Sequence, residues 1–246
     1  MTSPLFVKTY PDPVRRAAAQ AHLRWLAGLD AGVRLPHLRT AGERTLVFEY
    51  LGNRHPQPEN LPALAEALGR LHTAAHRQHL HAAHLDRPYT CATLTIRDFH
   101  TPRASILQRI PVDLTGLPVA FYKDANPRNF LLTDAGVAVI DFDDLTLAPF
   151  GYDLAKLVVT TAMTHGNLDT SLITDTLSAY NTATATIPAA ACTPTQLWTY
   201  TEIHHALTAR YLHRNGYRHA WPDVRPLPTQ HPAPRSPLGA ADGHHR

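Results

Sequence analysis

The sequence predicts an α+β protein built as two unequal lobes with a cleft between them. Three observations lead there. Within the first 52 residues, two β-rich runs flank one stretch with helical apolar spacing. A proline-rich bend, HPQPENLP over 55–62, then interrupts the pattern. Beyond it helical patterns dominate, around a single small β element between residues 117 and 142. The expected layout is therefore an N-terminal lobe over 1–52, a C-terminal lobe over 53–221 and a disordered tail over 222–246. The tail composition, with prolines, glycines and histidines but few large apolar residues, cannot bury a core.

Composition supports a globular chain. With 246 residues at 44% hydrophobic, there is apolar material for a proper core, which excludes a mainly disordered protein. No run of about 18 apolar residues exists to cross a membrane. The first residues, MTSPLFVKTYPDP, lack the basic-then-apolar order of a signal peptide. Cys91 and Cys192 alone make neither a disulfide framework nor a zinc site. A reduced, cytoplasmic protein is expected.

The elements follow in order. Leu5–Tyr10 (LFVKTY) lies between Pro4 and Pro11 and reads as a strand. Asp12-Pro13 starts a helix running from Val14 to Leu29, with proline at the first helical position. Thr45–Leu51 (TLVFEYL) reads as a second strand, closed by Gly52-Asn53. Leu61–Leu80 places Leu64, Leu68, Leu71 and Ala75 on one helix face. A helix is expected over Arg97–Gln108. Leu117–Phe121, Phe130–Leu132 and Val137–Phe142 are apolar β segments, and Thr133–Gly136 forms the turn between the last two. Gly151–Met163, Leu168–Thr184 and Thr195–Gly216 read as three further helices.

The cations are unevenly chosen. Of 23 Lys and Arg, only Lys8, Lys123 and Lys156 are lysines, the pattern of a GC-rich genome that uses arginine wherever it serves. A retained lysine is then suspect of a task that arginine's planar fork cannot perform. The net charge of +3 is spread along the chain without a basic stripe interleaved with aromatics, so no nucleic-acid partner is expected.

The chemistry concentrates in Phe121–Leu157, FYKDANPRNFLLTDAGVAVIDFDDLTLAPFGYDLAKL. Asp124 is followed by Asn129 five residues later, then by a hairpin, then by Asp141. A hairpin returns the chain, so Asp141 should emerge beside Asp124 and Asn129. Oxygen ligands converging on one point suit Mg²⁺. A carboxylate beside the metal, with a lysine for nucleotide phosphates, is the equipment of phosphoryl transfer.

This segment resembles the aminoglycoside phosphotransferase and choline kinase family, the small-molecule branch of the protein kinase-like fold. The family's H-G-D-x-x-x-x-N loop is similar to Tyr122–Asn129, and its [IV]-D-[FW] strand to Ile140-Asp141-Phe142. Its Y-D-L-A follows as Tyr152–Ala155, LGRLH (Leu68–His72) is similar to its helix motif, and LVFEYL (Leu46–Leu51) to its hinge strand. The resemblance implies a protein kinase-like fold, with a nucleotide-binding N-terminal lobe and a catalytic and substrate-binding C-terminal lobe. It implies Asp124 as catalytic base, Asn129 and Asp141 as Mg²⁺ ligands, and Lys8 on the ATP phosphates. Glu49, Tyr50 and Leu51 would line the adenine pocket, mainly through backbone groups, and Asp153 would tie the loop to the next helix. The implied reaction moves the ATP γ-phosphate to a hydroxyl of a small molecule.

Three departures from the family pattern shape the expectations. The family places two strands and a glycine-containing loop ahead of the lysine, so either the start is placed too far downstream or the phosphate-covering lid is lacking, and a truncated N-terminal β lobe is expected for the sequence as given. Where a glutamate would pair with that lysine, the helix offers only Gln20, read as an ordinary surface residue. Tyr122-Lys123 replaces His-Gly, and Lys123 could assist a phosphate or depress the base's pKa. These departures motivate a second reading, a catalytically impaired nucleotide- or ligand-binding protein. Asp143 could add a metal ligand or face solvent, Asp144 is read as facing solvent, and Lys156 has no assigned role. His72 is read as a packed histidine of LGRLH, whereas His76, His79, His81 and His84 read as surface residues rather than a zinc site, because no H-E-x-x-H is present. Between Leu168 and Gly216 only Asp169, Asp175 and Glu202 are acidic, which argues against a polycationic aminoglycoside as the acceptor.

Overall fold

A computed structural model describes residues 4–92 and 94–226. The first strand, β1 (Leu5–Thr9), leads into α1 (Pro13–Gly28). The Asp12 side chain accepts the Arg15 N–H and Pro13 occupies the first helical turn, so the expected start is the observed one. β2 (Leu38–Ala41) and β3 (Thr45–Glu49) complete an antiparallel sheet of order β1-β3-β2, with Lys8 opposite Leu46 and Leu5 opposite Glu49. β2 is a strand the sequence reading missed. Its LRTA is mostly exposed and shifts register between Leu38 and Thr40, so an irregular edge strand left no apolar alternation to find.

The C-terminal lobe opens with α2 (Leu61–Gln78), whose buried face carries Leu64, Leu68, Leu71, His72 and Ala75. The hairpin β4 (Tyr89–Cys91) and β5 (Leu94–Ile96) follows, then the single turn α3 (Ala104–Leu107). The helix expected over Arg97–Gln108 is thus mostly absent. Arg97 bridges to Thr146, and a 3₁₀ turn over Thr101–Arg103 precedes α3. Arg103 is buried there, its guanidinium 4.3 Å from the Phe99 ring centroid and 4.9 Å from that of Tyr152. Tertiary packing of a buried cation overrides the local helical pattern.

β6 (Val119–Tyr122), the hairpin β7 (Phe130–Thr133) and β8 (Gly136–Val139), and β9 (Thr146–Pro149) form two small antiparallel pairs, β6-β9 and β7-β8. The helices α4 (Tyr152–His165), α5 (Thr170–Thr184) and α6 (Pro194–Thr208) complete the lobe. The last helix, expected to reach Gly216, ends at Thr208. His213, Asn215 and Gly216 have positive φ, which no α-helix continues through. A short α7 (Trp221–Val224) then buries Trp221 and Val224 in the core, inside the stretch read as tail from residue 222. Residues 227–246 of that tail lie outside the described residues.

The glycine of LGRLH has a packing reason. A Cβ on Gly69 would lie 2.7 Å from Ala183 Cβ and 3.0 Å from the Tyr180 carbonyl oxygen, so α2 and α5 touch backbone to backbone there. A large side chain would prise them apart. Gly69→Leu is expected to destabilise the protein by ~1–3 kcal/mol in urea unfolding, and an unchanged midpoint would contradict this packing.

Candidate functional site

The site is built where the β6 strand, the β7-β8 hairpin and the first turn of α4 meet. The Ile140 N–H donates to the Asn129 carbonyl at 3.0 Å, continuing the β7-β8 ladder by one step. Asn129 and Asp141 therefore emerge side by side, as the hairpin argument requires. The loop after β6 is held from below by Asp153 of α4. Its fully buried carboxylate accepts the Lys123 N–H at 3.1 Å and the Ala125 N–H at 2.9 Å, on either side of Asp124. Asp124 is left with φ 69° and Asp141 with φ 65°, both in the left-handed region. Aspartate tolerates that region better than most residues, but two such positions in one cleft mark a functional constraint.

The Asp124 carboxylate is asymmetrically held. Oδ1 accepts the Tyr122 hydroxyl at 3.0 Å and lies 2.6 Å from Lys156 Nζ. Asn129 Nδ2 donates to the Asp124 carbonyl at 2.9 Å and approaches Oδ2 at 3.4 Å. Burial alone would raise the Asp124 pKa, but Lys156, Tyr122 and Lys123 together hold it below the usual carboxylate range. The group is ionised at neutral pH, the state a proton acceptor needs.

Beside it, a cavity of ≈ 470 Å³ opens between the lobes, lined by Lys8, Phe48, Tyr50, Leu51, Asn129 and Asp141 among others. Lys8 Nζ lies 2.7 Å from Asp141 Oδ1 and 2.8 Å from Asp143 Oδ1, and Tyr10 donates its hydroxyl to Asp143 at 3.1 Å. Desolvation lowers the Lys8 pKa, but the two carboxylates outweigh it and the net shift is upward. Lys8 thus carries a full charge into the cavity. Asn129 Oδ1 and Asp141 Oδ2 accept no hydrogen bond among the described residues. Two hard oxygens on one wall fit Mg²⁺, which takes few protein ligands and fills its octahedron with water and phosphate oxygens. No three of the described His, Cys, Asp and Glu side chains converge on a metal position.

The structure refines the sequence expectations residue by residue. Lys8, Asn129 and Asp141 share the cavity wall, with Asp124 hydrogen-bonded to Asn129 beside it. Of the hinge residues, the Glu49 N–H is committed to the His37 carbonyl and the Tyr50 N–H to that of Pro4. The Glu49 carboxylate binds Arg34 and the His37 N–H. Leu51 N–H is the hinge donor with no acceptor among the described residues. Gln20 is buried rather than on the surface, and it accepts from Arg16 rather than meeting Lys8. Lys123 is buried and does not line the cavity. Its side chain is 1% exposed, donates to the Ile140 carbonyl at 3.2 Å and lies 4.9 Å from the Phe130 ring centroid. Asp143 is drawn to Lys8, whereas Asp144 sits exposed near Arg15 and Arg97. The residue missed outright is Lys156, whose only signal was being one of three lysines.

His72 is buried as expected. The Tyr180 hydroxyl oxygen accepts the Gly151 N–H at 2.9 Å and lies within hydrogen-bond distance, 2.8 Å, of His72 Nδ1. Burial holds its pKa at about 3, so the ring is neutral.

The family model described as the phosphotransferase enzyme family, APH, matches residues 2–191. The chain belongs to this family. Solved structures share the family's fold. An aminoglycoside-3'-phosphotransferase of type VIII is 19% identical, with 81% of this chain and 84% of that one covered at TM-score 0.53. A choline kinase from Streptococcus pneumoniae is 16% identical, with 84% and 76% covered at TM-score 0.56. An amicoumacin kinase in complex with AMP-PNP and Ca²⁺ is 12% identical, with 82% and 72% covered at TM-score 0.52. No curated protein matches the chain in sequence. The protein kinase-like, two-lobed α+β fold expected from the sequence is the fold observed.

The buried histidines give the protein an acid sensitivity. Burial lowers the pKa values of His22, His72 and His204, so the unfolded chain binds more protons below pH 6.5. Asp153, raised by burial to about 6, binds a proton in the fold and offsets one of them. Unfolding free energy should therefore fall by at least ~1.4 kcal/mol per pH unit below pH 6. Urea midpoints that stay flat from pH 7.5 to 5 would contradict this.

Proposed function

We propose that this chain is a Mg²⁺-dependent kinase that transfers the γ-phosphoryl group of ATP to a hydroxyl of a small molecule. The observation that carries the reading is Lys8, Asn129 and Asp141 on one cleft wall, with Asp124 hydrogen-bonded to Asn129 beside it. Its membership of a phosphotransferase family and its likeness in fold to a kinase solved with AMP-PNP and a divalent ion support it. The 470 Å³ cavity between the lobes would take the nucleotide, with adenine against Leu46 and Phe48 and the Leu51 N–H as its hinge donor. Lys8 would hold phosphate oxygens by charge. Asn129 and Asp141 would hold Mg²⁺, which when bound supplies neutralisation of the phosphate oxygens.

Asp124 would act on the acceptor. Oδ1 is already engaged by Tyr122 and Lys156, whereas Oδ2 has only the long 3.4 Å approach of Asn129 Nδ2, so Oδ2 is the oxygen freer to accept the acceptor's hydroxyl proton. As the acceptor oxygen bonds to the γ-phosphorus, the bond to the β–γ bridging oxygen breaks and ADP leaves. The base gains the proton, and most of the acceleration comes from positioning and charge.

The acceptor side offers little to a polycation. Asp175 is exposed on α5, and Glu202 is occupied by Trp221 Nε1 at 2.9 Å and Arg225 at 3.2 Å. A hydroxylated acceptor without multiple positive charges fits best. One observation favours a nucleotide-binding protein without turnover: α1 supplies Lys8 with no acidic partner, since Gln20 turns to Arg16. The test separates the two. ADP release is followed over a panel of hydroxylated metabolites, with thermal shifts in Mg²⁺ and AMP-PNP. Turnover that Asp124→Asn lowers by at least ~10²-fold, with the AMP-PNP shift retained, is the expected result. A nucleotide shift without wild-type turnover would favour the binding protein, and neither signal would overturn both.

A further inference from the structure

Lys156 lies outside every motif that marks this site, yet it makes the shortest contact to its central carboxylate. It projects from the second turn of α4, one position after the YDLA segment, and is 5% exposed. Its Nζ sits 2.6 Å from Asp124 Oδ1. Asp124 is less enclosed, with 44% of its side-chain surface exposed. The pair is therefore one-sided, with the ammonium buried and the carboxylate partly exposed.

We propose that Lys156 is a positioning residue for phosphoryl transfer, fixing the Asp124 carboxylate so that Oδ2 faces the acceptor hydroxyl. The inference rests on the kinase reading above. Two geometric facts carry it. First, Asp124 stands on a backbone in the left-handed region, and a short aspartate side chain there needs an external tether to keep one rotamer. Tyr122 and Lys156 both tether Oδ1, from β6 and from α4, and two directions fix a plane where one would allow rotation. Second, burial prevents Lys156 from reaching into the cleft, so its action passes through Asp124. An ammonium so deeply buried is held by its partner, because an unpaired buried charge is strongly destabilising. Among the described residues no competing acid lies at that distance. Lys123 and Arg103 are basic rather than acidic, Asp153 is spent on the loop amides, and His204 of α6, near Lys156, is kept neutral by burial.

The sequence makes the pair directly observable, because only three lysines contribute signals in a ¹⁵N,¹³C-lysine-labelled protein. In NMR spectra, Asp124→Asn should move the Lys156 side-chain signal and leave that of Lys8 in place. An unmoved Lys156 signal overturns the pairing. In steady-state ADP release, Lys156→Met should lower kcat on the order of 10²-fold while the KM for ATP stays within ~3-fold, since only the reacting geometry is loosened. Lys156→Arg should recover only part of the loss, because it restores a cationic donor but brings a planar guanidinium wider than the enclosed seat beside Oδ1. A kcat for Lys156→Met within ~3-fold of wild type overturns the positioning role and leaves the kinase reading standing. Absence of ADP release by the wild-type protein overturns the kinase reading, and this inference with it. Should Lys156→Met fail to fold, Lys156→Gln takes its place in both measurements.

Discussion

The two hydrogen bonds from the Asp153 carboxylate to the Lys123 and Ala125 amides set the geometry on which the whole cleft depends. They clamp the backbone on either side of Asp124 and hold it in a conformation that an unsupported aspartate would leave. Asp153 is itself placed by the first turn of α4, which begins at a left-handed Gly151 whose N–H binds Tyr180. Tyr180 also binds His72 of α2, so three helices bear on one buried carboxylate. A fully buried acid costs desolvation, and its raised pKa records that cost. Backbone amides satisfying both oxygens make the arrangement tolerable.

The three lysines divide the electrostatic work by depth. Lys8 is partly open and meets two carboxylates at the cavity wall. Lys123 is enclosed among aromatic rings and supports the carbonyl just before Asp141. Lys156 is enclosed behind Asp124. Each ammonium acts as a compact point charge on a flexible stem, and the two enclosed sites take one carbonyl or one carboxylate oxygen where a planar guanidinium would need a wider seat. The retention of lysine at these positions, in a chain that otherwise uses arginine, thereby acquires a physical sense.

The proximity of Asp124, Asn129 and Asp141 was legible because their spacing is local. Asp124, Asn129 and Asp141 are joined by one loop and one hairpin, and hairpin register follows from the sequence pattern. The tie of Asp153 to the loop was implied by the resemblance of Tyr152–Ala155 to the family's Y-D-L-A rather than by spacing. Lys156 was not, because contact between α4 and the β6 loop is a tertiary fact with no periodicity to announce it. The edge strand β2 and the false helix over Arg97–Gln108 failed for related reasons. In the first, an exposed strand carries no apolar alternation. In the second, the buried Arg103 and its aromatic partners overrode a helical pattern. The unused N–H of Leu51, against the committed N–H groups of Glu49 and Tyr50, likewise emerges only from tracing backbone partners.

A crystal structure of the protein with Mg²⁺ and AMP-PNP tests the central claim most directly, because it reads nucleotide, metal and carboxylates at once. The account predicts the triphosphate at Lys8, the metal bound by Asn129 Oδ1 and Asp141, and adenine on the Leu51 N–H. A nucleotide seated elsewhere, or a metal held without Asn129 and Asp141, would contradict it.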